Sequence, residues 1–153
     1  MNGPRCQCGN FGCLELYCAA PVLLTKAKRE APGLFKKKGL KRADEYNIIF
    51  EAAKKGDKKI LKLLNEIAGY IAYGCVTLIY AYNPDIIVIG DVLSGAGSII
   101  LPVIKEKIKE RVVDEIYSQV EIEISGLPVD PTLYGAAAIA TDRVLSNPSR
   151  FLR

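Results

Sequence analysis

At 153 residues, half of them apolar and a quarter charged, the chain has the composition of one soluble globular domain. Its net charge of +4 is modest. The polar start Met1-Asn2-Gly3-Pro4-Arg5 argues against a secretory leader, and no apolar run reaches the roughly 18 residues of a membrane span.

Residues 1–12 read as an irregular loop rich in Gly, Asn and Pro. It leads Cys6 and Cys8 to Cys13, followed by Leu14 and Glu15. Cys-x-Cys-x4-Cys is too tight for a disulfide framework and suits a metal. Three thiolates can take three corners of a tetrahedron around Zn²⁺, with Gly9 and Gly12 letting the backbone turn. No histidine exists in the chain to take the fourth corner. The alternative is three reduced thiols with no metal. Three of five cysteines clustered together point to a reducing, cytoplasmic compartment and not to secretion. Cys18 and Cys75 lie in apolar helical contexts and read as buried small hydrophobes. A second reading makes Cys18 a substitute fourth ligand.

From Cys13 to about Arg29 the pattern is helical, with Leu14, Tyr17, Cys18, Leu24 and Ala27 on one face and Pro21 kinking it. Residues 30–42 form a connector carrying Lys36, Lys37, Lys38, Lys41 and Arg42. Without interleaved aromatics or a reading helix, this run is a solvated loop and not a nucleic-acid patch. A short helix spans Ala43 to Lys55, with Gly56 as its C-terminal stop. Asp57 caps a long helix to about Tyr82, with the stripe Ile60, Leu64, Ile67, Ile71, Cys75, Leu78 and Tyr82. From Ile67 onward it is apolar nearly all round, so it is expected in the core. Tyr70, Tyr73, Tyr80 and Tyr82 read as core and interface.

Ile86-Ile87-Val88-Ile89 reads as a buried parallel strand, followed by the small-residue loop Gly90–Gly97. A helix runs from about Ser98 to Val113, with Pro102 tolerated near its first turn. Gln119 to Ser125 alternates as a strand with one wet side. A last helix, about Leu133 to Leu145, opens Tyr134-Gly135-Ala136-Ala137-Ala138, small enough for another backbone to approach. The chain is therefore read as one incomplete α/β domain: a motif loop at 1–15, a helical region at 13–82, and a strand–helix–strand–helix unit at 83–153. A right-handed crossover joins its parallel strands. Two strands make a poor sheet, and the open edge predicts a homo-oligomer or further strands elsewhere.

Cys6-x-Cys8-Gly9-x-x-Gly12-Cys13-Leu14-Glu15 resembles the zinc signature of the ROK family of bacterial sugar kinases and sugar-responsive transcriptional repressors. Asn83-Pro84-Asp85-Ile86-Ile87-Val88-Ile89-Gly90, Leu101-Pro102-Val103-Ile104 and Tyr134-Gly135-Ala136-Ala137-Ala138 look like the C-terminal half of that family, in order. The resemblance implies a partial actin-like, ribonuclease-H-like α/β fold. It also implies Zn²⁺ on Cys6, Cys8 and Cys13, with the family's fourth ligand a histidine upstream of Met1. The N-terminal half, with its phosphate loop and general-base aspartate or a repressor's winged helix, is then expected to be absent. Any contact with DNA would run through that absent domain.

Two positions bear on the branch. The resemblance implies that Glu15 accepts hydrogen bonds from sugar hydroxyls, as an acceptor-only carboxylate can. The plainer reading is an exposed first-turn glutamate favoured by the helix dipole. Gly90, Asp91, Ser94 and Gly97 match the family's nucleotide loop. Its kinases there resemble Gly-Gly-Gly, where this chain has Gly90-Asp91-Val92. Val92 adds bulk, and Asp91 adds negative charge near an incoming phosphate, so ATP binding is doubtful. The plainer reading has Asp91 capping a turn. The expectation is a sugar-sensing, dimerising portion of a repressor, inactive as an enzyme. The alternative is half of an ATP-dependent, glucokinase-like sugar kinase.

Overall fold

The computed structural model describes residues 3–37, 39–127 and 131–150. It is a helix-rich α/β fold built on one long helix. Among the described residues, seven α-helices and two strands run in the order α1 (Glu15–Cys18), α2 (Ala20–Glu30), α3 (Arg42–Lys54), α4 (Lys58–Tyr82), β1 (Ile86–Ile89), α5 (Gly97–Lys109), α6 (Asp114–Tyr117), β2 (Glu121–Ile124) and α7 (Pro131–Ser146). Three 3₁₀ turns, at Pro32–Phe35, Val92–Ala96 and Pro148–Arg150, join or follow them.

The expected single helix from Cys13 to Arg29 is two helices. Ala19 turns extended (φ −66°, ψ 150°), and α2 restarts with Pro21 in its first turn. The missing N–H of proline costs nothing there, because first-turn donors have no helical acceptor. At the start of α4, Asp57 accepts from the Lys59 and Ile60 amides at 2.9 and 3.2 Å, the N-cap that its position foretold.

Of the α4 stripe, Ile60, Leu64, Ile67 and Cys75 are buried with Leu63, Ala68, Ala72 and Ile79. Leu78 and Tyr82 are not buried, and Tyr82 is 77 % exposed. The later half of α4 therefore does not lie wholly inside the core, because the described elements packed on it leave Tyr73, Leu78, Tyr80 and Tyr82 exposed. By length and composition α4 could cross a membrane. Its continuous buried face explains that apolarity as core packing.

The core is one cluster spanning α2, α3, α4, α5 and β2. Along α5, Ile100, Ile104 and Ile108 have no exposed surface. They recur at the helical period and face α4, with which α5 has its most extensive contact. α5 begins at Gly97, earlier than expected, so Pro102 lies inside it and not in its first turn. Pro102 is on the solvent side, where the lost hydrogen bond leaves its acceptor within reach of water.

β1 and β2 pair in parallel, with Ile86 opposite Glu121 and Ile89 opposite Ile124. α5 covers one face of this pair. A Cβ at Gly97 would lie 2.9 Å from the Ile124 side chain, so α5 approaches β2 as closely as glycine permits. The other face is bare: Ile86 and Val88 are 46 % and 55 % exposed. The expectation of a strand buried on both sides is thus corrected, since nothing among the described residues covers the second face. α7 is exposed along its described side chains, including Leu133, Tyr134, Ile139 and Leu145. Its small-residue start meets no partner helix among the described residues. The basic connector is solvated at Lys36, Lys37, Lys41 and Arg42, and Lys38 lies outside the described residues.

Candidate functional site

The cysteine loop is a tight hairpin. Arg5 and Phe11 form an antiparallel bridge, the Cys6 amide donates to Asn10 O at 2.8 Å, and the Gly9 amide donates to Cys6 O at 3.1 Å. Gly9 (φ +90°) and Gly12 (φ +68°) take left-handed conformations that an L side chain rarely adopts. The result gathers three thiols. Cys6, Cys8 and Cys13 place their Sγ atoms within 4.8 Å of one another, with Cys8 and Cys13 at 3.5 Å. Around a tetrahedral zinc with Zn–S bonds of about 2.3 Å, sulfurs stand roughly 3.8 Å apart. The donor set therefore fits a soft divalent metal at three corners. Bound there, zinc would act as a structural cross-link between the two ends of the hairpin.

Among the described residues, no histidine, cysteine or carboxylate joins this cluster. Cys18 does not: its thiol donates to Leu14 O at 3.4 Å within its own helix, and it packs against the core. Burial raises its pKa and pushes Cys75 up to about 11, marking both as inert packing thiols. Within the cluster the shared protons split the pair. Cys8 is held below its ordinary value, first by the backbone at Asn10 and then by the Cys13 thiol. Cys13 is pushed up to about 12, first by its hydrogen bond with Cys8 and then by Cys6.

The loop is seated on α4 by two contacts that the linear sequence does not announce. Leu14 fills the notch at Gly74, where a Cβ would lie 2.7 Å from its Cδ2. Tyr17 packs on Tyr70 with ring centroids 4.9 Å apart and the rings tilted by 31°, and its hydroxyl lies beside Gly12. The only trace in the sequence is the Tyr70/Gly74 spacing of one helical turn, which puts a flat ring beside a gap. Glu15 opens α1 directly after this loop and is exposed. Among the described residues no hydrogen bond or ion pair engages its carboxylate, and nothing yet converges on it.

Gly90, Asp91, Ser94 and Gly97 come together in the turn from β1 to α5. Ser94 donates its backbone N–H (3.0 Å) and its hydroxyl (2.6 Å) to Asp91 O. Gly97 is buried against Ile124 and serves packing. The loop rests on α3, where the Phe50 ring lies 2.7 Å from any Cβ on Gly95 and Tyr46 is close enough to feel the Asp91 charge. Asp91 itself has φ 61° and ψ −163°, a region populated almost solely by glycine. Its carboxylate makes no capping hydrogen bond, so it is the Asp91 carbonyl, and not its side chain, that closes the turn. Asp91→Gly should therefore stabilise the fold by about 1 kcal/mol. Relief of strain of roughly 1–3 kcal/mol is partly offset by the greater freedom of glycine in the unfolded chain. Denaturant melts of the two proteins check this; an unchanged or lower midpoint would mean that the conformation carries no strain.

Fold and site together define a helix-rich α/β protein with a three-cysteine loop docked on its central helix. The sequence model of the ROK family matches residues 1–143, and the chain belongs to that family. It is similar to the glucokinase of Thermotoga maritima, 28 % identical over 148 residues that cover 94 % of this chain and 47 % of that protein. It is also similar to the xylose repressor of Caldicellulosiruptor bescii, 29 % identical over 154 residues that cover 94 % of this chain and 37 % of that protein. Among solved structures it resembles a ROK-family transcriptional regulator described as a homologue of the Escherichia coli MLC protein. That match has a TM-score of 0.67 and 26 % identity, and covers 80 % of this chain and 31 % of that one. The chain spans less than half the length of the curated relatives it matches. Kinases and repressors both stand among those relatives.

Proposed function

We propose that this chain is the C-terminal half of the actin-like domain of a ROK-type, sugar-responsive transcriptional regulator. The observation that carries the reading is Asp91. Its backbone keeps a conformation suited to glycine, its carboxylate caps nothing, and Val92 follows it. A negative charge and a β-branched side chain replace the bare backbone that would let a nucleotide phosphate approach. Like charges separated by a few ångströms repel, and among the described residues no ion pair offsets the exposed Asp91 carboxylate.

In this reading zinc on Cys6, Cys8 and Cys13 fixes the hairpin, and Glu15, held just beyond it, accepts the hydroxyls of a sugar effector. A carboxylate takes two hydroxyl donors at once, and a cross-linked loop presets its position. The bare face at Ile86 and Val88 and the exposed α7 are surfaces for the rest of the protein and for a second copy. DNA contact belongs to a region outside this chain. A cytoplasmic location follows from the same reading.

The second reading is half of an ATP-dependent sugar kinase. It is favoured by the similarity to the Thermotoga glucokinase across most of the chain and by the small residues Gly90, Ser94 and Gly97 in the β1–α5 loop. Titration of the 153-residue chain with a fluorescent ATP analogue separates the two by binding, because half of a kinase is not expected to turn over hexose. The expected result is no saturable nucleotide binding, with none gained by unrelated loop substitutions and some gained by Asp91→Gly with Val92→Gly. Saturable binding by the unmutated chain would favour the kinase branch.

A further inference from the structure

We propose that Cys8 and Cys13 form a peroxide-oxidisable dithiol, a modification site superimposed on the metal loop, in which disulfide formation and metal binding exclude each other. Three geometric facts carry this. The two Sγ atoms are already 3.5 Å apart, so closure to the roughly 2.05 Å of a disulfide needs only a small shift. That shift falls in a hairpin whose backbone turns at two glycines, Gly9 and Gly12. And the thiols differ in access: Cys8 is exposed and Cys13 half-buried, while Cys6 and Cys75 are buried and Cys18 is tied to Leu14 O.

The chemistry uses a hydroperoxide as the oxidant. Cys8 sulfur attacks the peroxide oxygen, the O–O bond breaks, and an alcohol or water leaves with the proton. Cys8 is oxidised to the sulfenic acid by two electrons, and the peroxide is reduced by the same two. Cys13 sulfur then attacks Cys8 sulfur. The S–S bond forms, the S–O bond breaks, and the hydroxyl leaves as water with the Cys13 proton. The sum is two thiols and one hydroperoxide giving one disulfide, one alcohol and one water. Two of the three sulfur donors are consumed, so the oxidised loop cannot hold the metal. A metal already bound keeps both sulfurs occupied and blocks the attack. This stands apart from the repressor reading, since it depends on neither sugar nor nucleotide.

The test is near-stoichiometric hydrogen peroxide on the reduced, chelator-treated 153-residue chain, read by intact mass and by mapping of cross-linked peptides. The expected result is loss of two hydrogen atoms, a Cys8–Cys13 linked peptide, and full reversal by a thiol reductant. Zinc added beforehand should suppress the linkage, and zinc added afterwards should not bind until reductant is supplied. Cys13→Ser should instead leave a sulfenic acid on Cys8 that a dimedone probe captures. Because the linkage is mapped in the unmutated chain, misfolding of the variant leaves the test intact. Oxygen addition without a linked peptide, or a dominant linkage through Cys6, Cys18 or Cys75, would overturn the proposal.

Discussion

Cys6→Ser should abolish stoichiometric zinc binding by this chain. Cys6 is the buried member of the sulfur cluster, and its own amide ties the hairpin shut through Asn10 O at 2.8 Å. A serine hydroxyl keeps that backbone bond but is a poor zinc donor, so only two sulfurs remain. Loss of a mere outer-shell partner costs about 10–100-fold in metal affinity, and loss of a donor should cost at least that. Competition against a chromophoric chelator measures it directly. Cys18→Ser serves as the comparison, because its thiol faces Leu14 O and lies outside the cluster. If the two substitutions weakened zinc equally, Cys18 would be a ligand and the hairpin geometry would not describe the bound state.

Ile104→Ala should lower the unfolding free energy by about 2–5 kcal/mol, the usual range for emptying a fully buried isoleucine site. Ile104 is 0 % exposed and sits midway along α5, between Ile100 and Ile108, where the helix meets α4. Neighbours on two long helices cannot collapse into the gap without shifting α5 off β2. Gly97 is already at its closest approach to Ile124 and leaves no slack in that direction. For a domain of 5–15 kcal/mol total stability this is a large fraction. The matched control is Ile86→Ala on the bare face of β1, which should change stability by no more than about 0.5 kcal/mol. Urea melts of both variants decide the matter. A large loss at Ile86 would mean that the sheet face is covered in solution.

The two outcomes rest on information of different kinds. The gathering of three thiols in one hairpin could be read from the chain alone, because the cysteines lie within eight residues and glycine is placed where the backbone must turn. Short-range geometry is encoded in short-range spacing. The Asp57 cap was legible for the same reason, while the parallel pairing of Ile86–Ile89 with Glu121–Ile124 followed from the strand–helix–strand order and the family from its motifs. The break at Ala19 was half legible: Pro21 announced a disturbance, but whether the helix would kink or restart depended on where α1 could dock.

What the chain did not disclose was which apolar surface would find cover. The Ile86–Ile89 run has the same four β-branched residues whether one face or two are packed, so sequence supports a buried strand either way. Only the arrangement of α4 and α5 shows that one face is closed and the other open. Asp91 is a second case. Its composition suggested a turn cap, while the fold shows a glycine-like backbone with an unengaged carboxylate. Leu14 in the notch of Gly74 and Tyr17 against Tyr70 are a third.

Sequence alone determined the clustering of the three thiols, the helix periods and the family, since each depends on residues near one another along the chain. Tertiary structure alone decided which strand face is bare and which gap on α4 receives Leu14. Those depend on contacts between segments tens of residues apart, and the free energy of such contacts is set by shape and cover that no local pattern records.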